Sequence, residues 1–361
     1  MAEQLKNLYS KEFIEKLAKK IVFIYPDFKK DEFINSIFDN TWQELELKPR
    51  MRHISTTLHK LLPFSYKEQL GILKKVKEDF AGLEAMVFQD FVEVFGLEDF
   101  KESLKALEVF TIDSSSEFAI RQLILKYEDE TMKQMKIWAK SSNEHIRRLA
   151  SEGCRPRLPW AIALPKFKQN PTKVLEIIEL LKNDKSKYVQ KSVANNLNDI
   201  SKDNPQIVID FVKQNLGKTK ELDWICKHGS RTLLKKGNIE ILSFFNFDKS
   251  HHINLMNFCY DKTVLLNDDF NFSFEINSDE TIGNIRIEYV IYYLKSNNIH
   301  NKKVFMISQN EIKSSSKKFI KKQSFKNMTT RKHYFGKHFI AILINGVEVL
   351  KKEFFLNDTS N

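Results

Sequence analysis

Cysteine is nearly missing: Cys154, Cys226 and Cys259 are an odd number in 361 residues, with no CxxC pair. Neither a disulfide framework nor a thiolate metal site follows, and a reducing cytoplasm is the expected compartment. Glycine (10) and proline (8) are scarce, which suits closely connected helices over most of the chain. No apolar run reaches the ~18 residues of a membrane span, and the opening MAEQLKNLYSKEF has no apolar signal core. A membrane role is not expected. HExxH, P-loop, GxGxxG and GxSxG motifs are absent, and His145 and His251-His252 have no partners at ligand spacing. No metal and no cofactor are expected.

Acid is also in deficit, with 47 Asp and Glu against 58 Lys and Arg, a net charge of +11. That balance favours polyanionic partners, nucleic acid ahead of a membrane surface. The length suggests two domains, and the 42% hydrophobic fraction is enough for sizeable cores.

Helical periodicity fills the first two thirds. Leu5, Leu8, Phe13, Leu17, Ile21 and Ile24 recur up to Tyr25-Pro26, and further helices are expected over 31–47, 51–63, 66–80, 83–96 and 99–110. From residue 117 an internal repeat emerges. Trp138, Ser141, Ile146, Arg148 and Ala150 each have a counterpart 43 residues on, in Leu181, Asp184, Val189, Lys191 and Val193. That spacing lies in the 40–47 window of HEAT and armadillo repeats. A helix pair at 205–216 and 221–236 extends the stack. The expected fold over 1–248 is an α-solenoid of HEAT-like repeats.

Residues 249–269 read as a linker, and the period then turns to two. Runs at 271–277, 284–294, 302–308, 338–344 and 347–355 predict strands, with Asn345-Gly346 as a hairpin turn. A small all-β, immunoglobulin-like sandwich is expected over 270–361. It carries twelve basic residues between Lys295 and Lys337, Arg331 among them, against the single acid Glu311. Lys317, Lys318, Lys321 and Lys322 are the densest part, and such a surface grips phosphates without reading sequence. A solvated basic loop is the plainer alternative.

The most unusual stretch is NEHIRRLASEGCRPRLPW, 143–160, where Arg147, Arg148, Arg155 and Arg157 surround Glu152 ahead of Trp160. Arg121, Lys187, Lys191, Arg231 and Lys235 recur near other repeat ends, which fits a phosphate-tracking groove. Glu117, Glu152 and Asp199 stand out against this basic background. Each also has an ordinary explanation: a helix N-terminal acid for Glu117, a partner one turn from Arg148 for Glu152, a cap or turn for Asp199. Trp138, Trp160 and Trp224 could stack on nucleotides, though tryptophans in helical repeats are more often core.

SSEFAIRQLI (115–124), MKIWAKSSNEHIRRLASEGCRPRLPWA (135–161), SKYVQKSVANNLNDISKDNP (186–205), DWICKHGSRTLLKKG (223–237) and the upstream RMRHISTTLHKLLP (50–63) together resemble the bacterial DNA alkylation repair glycosylases built from HEAT-like repeats. The resemblance is to the AlkC branch, and it covers residues 1–245 well and the sandwich only in kind. It implies a monofunctional glycosylase that acts on double-stranded alkylated DNA; a monomer is expected. Its substrates would be cationic N3-methylated bases, 3-methyladenine and 3-methylcytosine, excised without base flipping. By motif it implies Glu117, Glu152 and Asp199 as catalytic carboxylates; of these, Asp199 is expected to serve the sugar and the water, with Glu152 as co-stabiliser and Glu117 third. Trp160 would contact the lesion, and Arg155 and Arg157 would hold the DNA backbone. The alternative is a non-catalytic HEAT scaffold that binds nucleic acid or an acidic protein through the same surface.

Overall fold

The computed structural model describes residues 4–247, 252–327 and 332–358. Its helices run in chain order as α1 Lys11–Ile24, α2 Lys30–Ile37, α3 Leu47–Leu61, α4 Tyr66–Lys77, α5 Met86–Phe95 and α6 Phe100–Phe110. They continue as α7 Ile120–Lys126, α8 Glu128–Trp138, α9 Glu144–Gly153, α10 Pro165–Gln169, α11 Thr172–Leu181 and α12 Lys187–Asp203. The last are α13 Pro205–Asn215, α14 Lys220–Gly229, α15 Arg231–Lys235 and α16 Ile239–Phe244.

The chain forms two compact units. The first is the chain up to Asn204 with Gly217–Gly229; the second is Pro205–Leu216 with everything from Ser230 onward. The boundary expected at residue 248 is therefore corrected. Helices α13, α15 and α16 go with the strands, because α13 packs on α16 and the turn at Gly237 abuts Gly346 of the sandwich. A Cβ on Gly237 would meet the Gly346 carbonyl oxygen at 3.0 Å.

Local chemistry sets the helix ends. Ser10 caps α1 by accepting from Phe13 N at 3.2 Å, and Phe13, Ile14, Leu17, Ala18 and Ile21 then form its buried stripe. Ser65 and Glu68 form a capping box at α4. The helix expected over 31–47 stops early at Ile37. Asp39 draws off the backbone by accepting from Thr41 N and Oγ1 at 2.8 and 2.7 Å, the local competition that breaks helices. The helix expected over 221–236 is two, α14 and α15, parted at Ser230.

The repeat is visible in the packing. Helix α8 lies against α11, and α9 against α12, which in turn packs on α14. Asn143 and Ser186 cap α9 and α12 alike, each accepting from the backbone N–H two residues on. Trp138 and Leu181, Ile146 and Val189, and Ala150 and Val193 are all buried. Trp138 is thus core, and its indole N–H donates to Glu108 at 2.8 Å.

In the second unit the strands are β1 Asn254–Tyr260, β2 Thr263–Leu265, β3 Asp269–Asn277, β4 Gly283–Leu294, β5 His300–Ile312, β6 Ser316–Ser324, β7 Gly336–Ile344 and β8 Val347–Asn357. They form one sheet in the order β1-β3-β6 and another in the order β2-β8-β7-β4-β5. Phe270, Phe274, Ile276, Ile287, Ile342 and Phe354 fill the space between the sheets. Asn345 (φ 47°) and Gly346 (φ 80°) make the expected hairpin turn, both left-handed as a type I′ turn requires. The linker expected over 249–269 is corrected where described: most of it is β1 and β2, whose weakly buried side chains hide the strand period. His251 and Arg331 lie outside the described residues.

Candidate active site

The site is built on the C-terminal half of α9, the loop that follows it, and α12. Arg121 of α7 is the buried post under that loop. It donates to the carbonyls of Ile162 (2.5 Å), Gly153 (3.0 Å) and Arg155 (2.8 Å). Burial pushes its guanidinium down to about 10, still charged at neutral pH. It therefore positions the loop and cannot reach a phosphate. Arg121→Met leaves three carbonyls without a donor and should cost about 3 kcal/mol in urea unfolding. An unchanged unfolding midpoint would contradict that role. Beside it Cys154 is fully enclosed, and burial pushes its thiol up to about 12, so no thiolate nucleophile is available at neutral pH.

Three carboxylates converge on this frame. Glu152 ends α9, and Asp199 lies on α12, where the 43-residue repeat brings the next helix alongside. Arg155 joins the two: its Nη1 donates to Glu152 Oε1 at 2.5 Å, and Nε and Nη2 lie 2.8 and 2.7 Å from Asp199 Oδ2. Burial opposes the charge on Arg155, but Glu152 and Asp199 outweigh it and hold the guanidinium above its ordinary value. Ser192 donates to the other oxygen of Glu152 at 2.6 Å, and Lys202 to Asp199 Oδ1 at 2.9 Å. Glu152 and Asp199 are only 4% and 1% exposed. Isolated buried charges would be prohibitive; here each acid has a cation, and each of its two oxygens accepts a hydrogen bond.

Glu117 is the more open acid. It accepts from Arg148 Nη1 at 2.6 Å and from Ser115, and Arg148 Nη2 lies 3.7 Å from Glu152, so one guanidinium couples the two carboxylates. Arg148 also sits 4.6 Å over the Tyr188 ring. A cleft of about 520 Å³ opens here, lined by Glu117, Ser115, Arg148, Tyr188, His145 and Trp160 among others. Trp160 is 60% exposed and holds a left-handed backbone (φ 64°), an unusual conformation for a bulky residue. Its carbonyl accepts from Lys48 of α3, and beside it runs a small apolar pocket of Leu47, Met51, Met86, Phe118 and Pro159.

Residues 87–233 match the family model of the DNA alkylation repair enzymes, and 257–358 match the model described as the C-terminal Ig-like domain of the uncharacterised protein YhaZ. Protein YhaZ of Bacillus subtilis (strain 168) is 43% identical over 344 residues, 95% of this chain and 96% of its own length. The Pseudomonas fluorescens alkylpurine DNA glycosylase AlkC, solved bound to DNA containing an abasic site analog, matches with a TM-score of 0.92 at 32% identity. That match covers 98% of this chain and 100% of the other. This chain belongs to the DNA alkylation repair enzymes, in the AlkC branch.

Within that family frame the remaining arginines divide. Arg147, expected on DNA, is committed to Asp184 at 2.6 and 3.1 Å and to the carbonyls of Ser141 and Ser142, tying adjacent repeats together. Arg155 is likewise turned inward, between the acids. Arg157 is more open and pairs with Asp203 at 2.7 and 3.0 Å. Lys191 is exposed on α12. Arg231 belongs to the second unit. Lys317, Lys318, Lys321 and Lys322 are exposed on β6, an edge strand of its sheet, where Lys322 pairs with Asp269 at 2.7 Å. Lysines on such an edge also deter strand-to-strand association. Tyr188, Ser192, Lys202 and Lys48 were not among the expected site residues. A single turn separates Tyr188 from Ser192 on α12, a signal available once Asp199 is placed on the same helix. Among the described residues no group of three His, Cys, Asp or Glu is arranged to hold a metal.

Proposed function

We propose that this chain is a monofunctional DNA glycosylase that hydrolyses the N-glycosyl bond of cationic N3-methylated bases in duplex DNA, without extruding the base. The observation that carries the reading is the set of three carboxylates held by Arg148 and Arg155, of which Glu117 lines an open cleft flanked by Trp160. The family membership and the likeness to AlkC support it.

Methylation at N3 places a positive charge on the base. The base then leaves as a neutral molecule, so no general acid need protonate it. What the protein supplies is negative charge beside the deoxyribose as the bond from C1′ to the base breaks, and a bound water that adds to C1′ and passes its proton to a carboxylate of the site. Glu117, which lines the cleft, is assigned to face the sugar directly. Glu152 and Asp199 stand behind it as fixed negative charge and, with Ser192, are assigned to orient the water. This order of access differs from the one expected from the motifs, where Asp199 leads. Trp160 is assigned to the damaged nucleotide, and Arg157, Lys191 and the β6 lysines to phosphates.

The purified protein should release 3-methyladenine and 3-methylcytosine from methylated duplex DNA, identified by chromatography of the free bases. Neutral lesions should react poorly, because little leaving-group activation is built into the site. Salt-sensitive DNA binding with no base released would instead favour the scaffold reading.

A further inference from the structure

Trp224 has no part in this mechanism, yet the repeat register gives it a definite place. Leu222, Trp224, Cys226 and Gly229 of α14 occupy the positions of Val189, Lys191, Val193 and Asn196 in α12, and of Ile146, Arg148, Ala150 and Gly153 in α9. The correspondence is physical. Ile146, Val189 and Leu222 are all buried, as are Ala150, Val193 and Cys226. Gly229 lets α14 close on α12, since a Cβ there would meet Leu197 Cβ at 3.0 Å. One position off the core stripe therefore reads Arg148, Lys191, Trp224 along three successively packed helices.

A tryptophan that replaces a cation in such a row would ordinarily be core. Trp224 is instead 44% exposed, with its ring stacked on His228 at 4.8 Å and 10°. It lines a groove of about 410 Å³ with Lys187, Gln190, Lys191, Lys220 and a single acid, Glu221. Three exposed lysines around a backed aromatic plate match the alternation of phosphate and apolar deoxyribose along a strand of duplex DNA.

We propose that this groove is a second DNA-contact station, where Trp224 packs on a nucleotide flanking the lesion and Lys187, Lys191 and Lys220 hold its phosphates. Packed helices lie about 8–10 Å apart, and phosphates follow one another every ~3.4 Å of axis along a strand. Each helix step thus advances the contact by about three nucleotides. Arg148 marks the lesion, so Trp224 engages DNA about six nucleotides away, on one side. The location of the lesion rests on the glycosylase reading; the groove's affinity for DNA does not.

The test measures Kd for abasic-analogue duplexes that extend ten nucleotides on both sides of the lesion, or are cut to two on either side. On the long duplex Trp224→Ala should weaken binding about tenfold and Trp224→Phe far less. On the duplex shortened on the side Trp224 serves, wild type and Trp224→Ala should bind alike. Lys220→Gln should lower the salt dependence by about one phosphate on the long duplex only. Equal long-duplex affinity for wild type and Trp224→Ala overturns the inference. So does a loss that persists on both shortened duplexes, which would mark Trp224 as merely structural. Base release by the wild-type protein is scored separately, so absence of glycosylase activity sinks the functional reading and leaves the groove's own result intact.

Discussion

Glu117→Gln should slow single-turnover base release at least 100-fold while leaving affinity for undamaged duplex within about twofold. The substitution keeps the size of the side chain and an acceptor for Arg148, and removes only the charge. Deleting one preorganised electrostatic group at a reacting centre typically costs ~10²–10³ in rate. Glu117 is the informative acid because it lines the cleft, so the change should not disturb folding. Asp199→Asn should show a loss of the same order, with a further cost in stability because Arg155 and Lys202 would face a neutral amide. Normal turnover by Glu117→Gln would remove Glu117 from the sugar's environment. Normal turnover by both variants would end the carboxylate mechanism.

The helical architecture was legible because its signal is periodic and redundant: Ile146 and Val189 repeat the same buried position 43 residues apart, and capping residues precede each. The hairpin at Asn345-Gly346 was legible because only a few residue types adopt two left-handed conformations in a row. Strands β1, β2 and β6 were not. In β6 four lysines surround Phe319, the one buried residue of the strand, and bury the alternation of two in charge. Residue identity also pointed to the three acids, but not to how far each is exposed. An arginine at a helix end gives no hint whether it turns outward or back. Arg147 and Arg155 turn back because Asp184 and Asp199 come from the next repeat, contacts that spacing along the chain does not display, while Glu152 stands three residues before Arg155. Lys48 is further from sequence reach, since it meets the carbonyl of Trp160 across 112 positions.

Arg155→Met should lower stability by about 3–5 kcal/mol at neutral pH and abolish measurable base release. The guanidinium bridges Glu152 and Asp199, and removing one partner of a buried ion pair leaves enclosed negative charge under-compensated. Lys202 would still reach Asp199 Oδ1, and Ser192 would still reach Glu152, so the site should weaken rather than collapse outright. Since whole-protein stabilities run ~5–15 kcal/mol, such a variant remains measurable by urea unfolding at low temperature. A double-mutant cycle isolates the cause. In Arg155→Met with Asp199→Asn one of the two carboxylates that lost the guanidinium is gone, and the double variant should be more stable than Arg155→Met alone, with a coupling of at least ~1 kcal/mol. Arg155→Lys separates charge from geometry: one ammonium keeps the positive charge but lacks the planar fork that spans two acids. It should fold close to normally and still lose most of the excision rate. Additive single and double variants would show that Arg155 does not join the acids energetically. Full activity in Arg155→Lys would show that the charge alone, without the bridge, sets the site.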